Sequence, residues 1–292
     1  MPDRPFTVDG ARLIAPSAPR GLHIVATPIG NLGDITLRAL KTLAGADRVA
    51  AEDTRHTGRL LSHFAIDVPQ IRYDEHRAPA QRPKILEILE EGASVALVSD
   101  AGTPLISDPG FRLVREARER GIAVHTVPGP SAVIAALSVA GLATDAFLFA
   151  GFLPAKARAR QARIEELRAV RATLAFYEAP HRLTATLQNL RDGLGDRQAA
   201  VARELTKRFE TVEVGSLDNL GERFGEEIKG EIVILVAPPD PDATSDEDAE
   251  ALLAEALTRL QPSAAAAEVA RRTGQNRSKL YRMAMALKAH SK

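Results

Sequence analysis

Short apolar runs punctuate the first half of the chain at residues 22–26, 48–51, 71–73, 95–99 and 123–127. Between them lie stretches in which apolar residues return every three or four positions, at 37–44, 57–64, 82–91 and 111–120. The runs read as buried strands and the 3.6-residue period as amphipathic helices. Their alternation predicts a parallel α/β sheet, with a further helix over 131–140 leading out of it. In the back half the rhythm changes. Strands are expected at 146–152, 173–178, 199–203, 211–214 and 231–237, and helices at 157–170, 182–193 and 217–224. The closer strand spacing implies a mixed or partly antiparallel sheet. Pro238-Pro239-Asp240-Pro241-Asp242 reads as a linker. From residue 246 onward the pattern is all helical, and 265–273 followed by Gly274 and 278–287 resembles a helix-turn-helix. The expected organisation is a flexible tail over 1–20, α/β domains over 21–128 and 129–239, and a helical appendix over 247–292.

Three of the first-half strands run into loops of small residues. Thr27-Pro28-Ile29-Gly30-Asn31-Leu32-Gly33 follows the first, Asp100-Ala101-Gly102-Thr103-Pro104 the fourth and Gly129-Pro130-Ser131-Ala132 the fifth. The carboxyl ends of parallel strands are where open α/β sheets bind ligands, and glycine lets bare backbone approach a small molecule closely. Three such loops imply one shared crevice. Its ligand is not announced by a nucleotide signature. The chain has no G-x-x-x-x-G-K-[ST], no G-x-G-x-x-G after the first strand and no G-x-S-x-G elbow.

Charge clusters at four other strand ends: Glu52-Asp53-Thr54-Arg55-His56-Thr57, Tyr73-Asp74-Glu75-His76-Arg77, Phe176-Tyr177-Glu178-Ala179-Pro180-His181-Arg182 and Ala202-Arg203-Glu204-Leu205-Thr206-Lys207-Arg208. Each mixes carboxylates with bases, the combination that orients a polar substrate and moves a proton. Any one of them is equally a salt-bridged loop edge. Four together, beside three small-residue loops, point to a site.

Composition narrows the choice. The 292 residues contain no cysteine, which excludes disulfides and thiolate zinc sites and fits a reducing, cytoplasmic setting. The spacing of His56, His76 and His181 matches no zinc pattern, so no metal is expected. The opening residues lack an apolar signal-peptide core, and the longest apolar stretch, 131–153, is broken by Gly141, Thr144 and Asp145, so no membrane span is expected. Formal net charge is +0 but unevenly spread. Residues 156–210 carry 12 Lys and Arg against 7 acids, 240–255 carry 7 acids and no base, and 263–292 carry 7 bases and one acid, Glu268. A basic tail behind an acidic linker suggests a polyanionic partner, although charge runs are more often solvated helix faces.

Taken together, the segments Ala26-Thr27-Pro28-Ile29-Gly30-Asn31-Leu32-Gly33-Asp34, Ala51-Glu52-Asp53-Thr54-Arg55, 98–109, 127–132, 176–182, 203–207 and Lys229-Gly230-Glu231 resemble the tetrapyrrole methylase superfamily, specifically its branch acting on small-subunit ribosomal RNA. Thr103-Pro104 stands where other branches carry Asp-Pro. The resemblance implies a two-domain α/β fold, a homodimer, and S-adenosylmethionine held in the crevice between the domains. It implies methyl transfer to the ribose 2′-hydroxyl of a cytidine in the decoding region of 16S ribosomal RNA. Carried over by motif, Pro28, Gly102, Thr103, Ile106, Ser131 and Ala132 would line the cofactor site, with Phe176, Tyr177 and Ala202 covering it from the second domain. A ribose hydroxyl is a weak nucleophile and is helped by a base or by a cation at the emerging alkoxide. Glu178, His181, Arg182, Glu204 and Lys207, with Asp53 and Arg55 opposite, are the candidates. Lys156, Arg158, Arg160 and Arg163, and in the tail Arg271, Arg272, Arg277, Lys279 and Arg282, are the expected RNA contacts. Two other readings remain open at this point: the same fold acting on a tetrapyrrole or diphthamide-type substrate, and a non-enzymatic nucleic-acid-binding regulator.

Overall fold

The computed structural model describes residues 4–224, 228–240, 246–273 and 277–290. It opens on a hairpin, β1 (Arg4–Val8) and β2 (Ala11–Ala15), turned at Asp9 and Gly10 with positive φ at both. This corrects the expectation of a flexible tail. Phe6 is fully buried in the first core cluster, the Thr7 N–H donates to the Phe64 carbonyl, and Arg4 pairs with Asp47 at 2.8 Å. The alternation of apolar and polar residues in two short runs carried the signal, but the nearby prolines and acids hid it.

The first sheet is five-stranded and wholly parallel. Its strands are β3 (Gly21–Val25), β4 (Arg48–Ala51), β5 (Gln70–Arg72), β6 (Ser94–Val98) and β7 (Val124–Val127), in the spatial order β5-β4-β6-β3-β7. The connecting helices are α1 (Leu37–Gly45), α2 (Thr54–His63), α3 (Ala78–Glu90) and α4 (Phe111–Glu119). β6 is buried along its whole length, as a central parallel strand must be. Separate core clusters form on the two faces, one around Leu40, Leu43 and Val49, the other around Leu22, Ile85 and Leu113. α5 (Ala132–Val139) then leads to the second sheet.

That sheet contains β8 (Phe147–Phe152), β9 (Thr173–Glu178), β10 (Gln198–Arg203), β11 (Thr211–Ser216) and β12 (Ile232–Val236), in the order β11-β10-β12-β9-β8. Only β8 and β9 pair in parallel; the other three ladders are antiparallel. α6 (Ala157–Leu167), α7 (Leu183–Leu194) and α8 (Leu217–Arg223) pack through Ile164, Leu187, Leu190 and Leu220 onto one face, which carries Phe176, Val201 and Ile234. The other face presents Ala175, Ala202 and Val233 to α5 and to Ile29 from the first half. Small residues on that face leave room between the two sheets. The chain ends in α9 (Asp246–Leu257), α10 (Pro262–Thr273) and α11 (Arg277–His290), which share a small core of Leu253, Ala266, Val269 and Leu280. Gly274 lies outside the described residues. Among the described residues, no helix is long and apolar enough to cross a membrane.

Candidate active site

The three small-residue loops are tied to one another. The Thr27 N–H donates to the Gly102 carbonyl at 2.9 Å and the Gly102 N–H returns to the Thr27 carbonyl at 3.1 Å. Thr27 Oγ1 donates to the Ser99 carbonyl, and Thr103 Oγ1 to the Pro130 carbonyl at 3.1 Å. Gly102 has φ +76°, and a Cβ there would stand 3.3 Å from the Ile29 side chain. The loop continues through Leu105 and Ser107, both with positive φ, a strain that clusters at binding sites. Opposite these loops stands the small-residue face of the second sheet. A cavity of about 460 Å³ lies between them.

Gly102, Thr103, Ile106, Ser131, Ala132, Tyr177 and Ala202 all line this cavity, and Pro28 and Phe176 do not. Phe176 is fully buried on the opposite face among Ile164 and Leu187, because successive strand residues point to opposite sides and Tyr177 takes the cavity side. Pro28 shapes the loop, and its neighbour Ile29 supplies the lining. Tyr177 meets Phe149 edge-on at 4.9 Å and Phe152 at 5.6 Å, forming an aromatic corner.

The expected catalytic residues separate into three groups. Glu178 has a fully buried carboxylate. It accepts from the Ala179 N–H at 2.7 Å and from Thr186 Oγ1 at 2.6 Å, and it pairs with Arg182 Nε at 3.4 Å. Arg182 also donates to the Leu153 carbonyl, while His181 is exposed and does not line the cavity. Glu178 and Arg182 thus lock the turn after β9 rather than standing free for chemistry. Asp53 caps α2 through the Arg55 N–H at 2.8 Å and pairs with the exposed Arg55 side chain, whose hydrogen bond holds the Asp53 carboxyl well below the usual range. Neither lines the cavity.

Glu204 and Lys207 form a clasp. Lys207 Nζ donates to Glu204 Oε1 at 2.8 Å and to Glu231 Oε2 at 3.1 Å, and the Glu231 N–H donates to Glu204. The hydrogen bond from Lys207 holds the Glu204 pKa down. Burial pulls Lys207 down, but its hydrogen bonds to Glu204 and Glu231 outweigh it and leave its pKa raised. The Lys207 stem lies over Gly30, where a Cβ would come within 2.5 Å of it. Lys207 therefore ties the first loop to the second sheet, with Glu231 at the cavity edge.

Three carboxylates that residue-by-residue reading passed over line the cavity: Glu52, Asp100 and Asp108. Asp100 accepts from the Asp53 N–H at 3.0 Å. Burial pushes the Glu52 pKa up, and Asp108 and Asp100 push it further. Asp108 is raised by burial and then by Asp100, against a hydrogen bond from Ser99. Their loops were legible as strand-end segments, but Asp100 and Asp108 look like ordinary turn formers, and only the packing of β4 beside β6 brings Glu52 to them.

Of the expected RNA contacts, Lys156 and Arg158 are exposed at the start of α6. Arg160 instead holds the Pro154 and Ala155 carbonyls, and Arg163 pairs with Glu166 at 2.8 Å. Arg271, Arg272, Arg277 and Arg282 are exposed on the appendix and Lys279 is half-buried. Arg277 and Arg282 share a concavity of about 500 Å³ with Ser263, Ser278 and Tyr281. Glu268, the one acid of this stretch, pairs with Arg259 at 3.3 Å.

The sequence pattern of the tetrapyrrole (corrin/porphyrin) methylases matches residues 21–221, which hold the whole first sheet and four of the five strands of the second. The chain belongs to the tetrapyrrole methylase family. A second pattern, the RsmI C-terminal HTH domain, matches residues 243–288 of this methylase. Two similar curated proteins carry the name "Ribosomal RNA small subunit methyltransferase I". The one from Mesorhizobium japonicum is 50% identical over 91% of this chain and 92% of its own length. The one from Escherichia coli O157:H7 is 44% identical over 90% and 94%. Among solved structures, a diphthine synthase aligns with TM-score 0.59 at 17% identity over 74% of this chain and 89% of its own. A Thermus thermophilus uroporphyrin-III C-methyltransferase complexed with S-adenosyl homocysteine aligns with TM-score 0.54 at 18% identity, over 74% and 96%. These structures share the methylase fold; the sequence relatives carry the likeness across the appendix as well.

Proposed function

We propose that this methylase transfers a methyl group from S-adenosylmethionine to small-subunit ribosomal RNA, at the ribose 2′-hydroxyl of a cytidine in the decoding region. The observation that carries the reading is the cavity between the three tied loops and the small-residue face of the second sheet, in a chain about half identical over nine-tenths of its length to a protein named ribosomal RNA small subunit methyltransferase I. The cavity volume falls in the range of small-molecule sites. Gly102 leaves backbone bare along one wall, Tyr177 and Phe152 offer aromatic surface along another, and the acidic lining suits a ligand that bears a sulfonium and an ammonium group. Gly102, Thr103, Ile106, Ser131, Ala132, Tyr177 and Ala202 would hold the cofactor, which supplies an activated methyl group when bound.

The chain's own contribution is alignment. Methyl transfer needs the acceptor oxygen in line with the methyl carbon more than it needs covalent catalysis. The Lys207 stem over Gly30 holds the second sheet's loop against the first half, and the Glu178–Arg182 lock stiffens the turn after β9 on the second-sheet wall. An acidic cavity repels phosphate, so the RNA backbone stays at the rim and one nucleoside enters. Lys156, Arg158, Arg271, Arg272, Arg277 and Arg282 are the bases exposed to receive phosphates, and Tyr281 offers a ring on which an unpaired base stacks. A homodimer fits the apolar surface of Phe147 on edge strand β8 and of Ile134 and Val139 on α5, all more than two-fifths exposed. A cytoplasmic setting follows from this substrate.

The test is transfer of labelled methyl to isolated small ribosomal subunits, with the modified nucleoside identified by mass spectrometry. 2′-O-methylcytidine is expected. Label on a base carbon, or transfer only to a tetrapyrrole or a diphthamide-pathway acceptor, would overturn the reading.

A further inference from the structure

The cavity has an unusual charge balance. Among the described residues, five acidic residues line it, Glu52, Asp100, Asp108, Glu178 and Glu231, and no Lys, Arg or His does. Two of the five have a cation beside them: Glu178 pairs with Arg182 at 3.4 Å, and Glu231 shares Lys207 with Glu204 at 3.1 Å. Among the described residues, Glu52, Asp100 and Asp108 form no ion pair. The charges acting most strongly on Glu52 are Asp108, Asp100 and, more weakly, Asp74, all of its own sign. Tyr177, across the cavity, feels Asp108 and Glu231 in the same way. A half-buried cluster of like charges costs free energy unless a cation completes it. The backbone holds the cluster in place regardless: β4 and β6 are neighbours in register, the Asp53 N–H is bonded to Asp100, and the loop bearing Asp108 adopts positive φ at Leu105 and Ser107.

The donor and its product differ in charge. S-adenosylmethionine carries a sulfonium, an ammonium and a carboxylate, net +1. S-adenosylhomocysteine has a neutral thioether in place of the sulfonium, net zero. Resting on the cofactor reading above, we propose that Glu52, Asp100 and Asp108 form a charge filter on the cavity wall. The filter holds the sulfonium form and loosens the thioether left after transfer. The wall that favours the charged donor thereby favours exchange of product for fresh donor.

The consequence is measurable without turnover. Binding of S-adenosylmethionine, S-adenosylhomocysteine and sinefungin to the full-length protein is followed by calorimetry. Sinefungin bears an amine where the sulfonium stands, so it keeps the net charge and has no methyl to transfer. The wild type should bind both cations more tightly than the thioether. Glu52→Gln and Asp108→Asn should each weaken both cations about tenfold, the scale of one unit charge several ångströms away in a partly screened site. Each should leave S-adenosylhomocysteine within about twofold. Retained thioether binding also reports that the variant is folded; a variant that binds none of the three is replaced by the other. Equal losses for all three ligands in both variants, or sinefungin following the thioether rather than the sulfonium, would overturn the filter. A wild type that binds none of the three would overturn the cofactor reading instead.

Discussion

Replacing Glu178 by alanine should destabilise the second α/β unit rather than remove a catalytic group. The carboxylate is fully buried and accepts two short hydrogen bonds, from the Ala179 N–H and Thr186 Oγ1, while facing Arg182. Hydrogen bonds to a charged group contribute roughly 1.5–3 kcal/mol each, and removing one partner of a buried ion pair costs about 3–5 kcal/mol because the other is stranded. Here Arg182 is partly exposed and keeps the Leu153 carbonyl, which places the expected loss near the lower bound, about 3 kcal/mol. Thr186→Val removes the hydroxyl that donates to Glu178 and should cost about 2 kcal/mol. The two residues share one network, so the double variant should lose at least about 0.5 kcal/mol less than the two single losses added. Urea denaturation followed by hydrogen exchange at β9 amides measures all three. Glu178→Ala with wild-type protection, or full additivity with Thr186→Val, would refute the structural role and return Glu178 to the list of catalytic candidates.

Phe6→Ala should destabilise the protein by about 3 kcal/mol, a typical cost for emptying a fully buried phenylalanine site; a thermal midpoint within a degree of wild type would mean that the hairpin does not dock in solution. His23 is buried, donates to the Pro19 carbonyl and stacks on His125 at 4.6 Å. Burial lowers its pKa below 6.5, and His125 lowers it further. The unfolded chain therefore takes up the proton first, so stability should be fully present above about pH 6.5 and fall as the pH drops below it. His23→Gln should flatten that slope in urea melts at pH 5 and 7.5. Gly102→Ala places a Cβ at φ +76° and 3.3 Å from Ile29, costing about 1–2 kcal/mol in the left-handed region. It should weaken S-adenosylmethionine binding at least severalfold in calorimetry; unchanged affinity would place the cofactor elsewhere.

The alternation of strands and helices, the three loops of small residues and the change of rhythm after residue 140 were all written in local pattern, because burial and backbone freedom select residue types one position at a time. The same is true of the basic tail. The hairpin leaves little trace in the pattern because its strands are short and only Phe6 and Ala15 are buried. Residue roles were harder still. Glu178, Glu204 and Asp53 have the chemistry of catalysts, yet each is occupied by a neighbour: Thr186, Lys207 and Arg55. Glu52, Asp100 and Asp108 have the look of loop residues, yet they stand on the cavity wall with no ion pair among the described residues.

Local sequence thus determined which segments are strands, helices and ligand-facing loops, and by resemblance which family the chain joins. Tertiary structure decided which side chain of each charged segment meets the cavity. That choice depends on the pleat that separates Tyr177 from Phe176, on the strand order that sets β4 beside β6, and on partners that lie far away in the chain. A carboxylate's function is set by the distance to the nearest cation, and that distance exists only once the chain has folded.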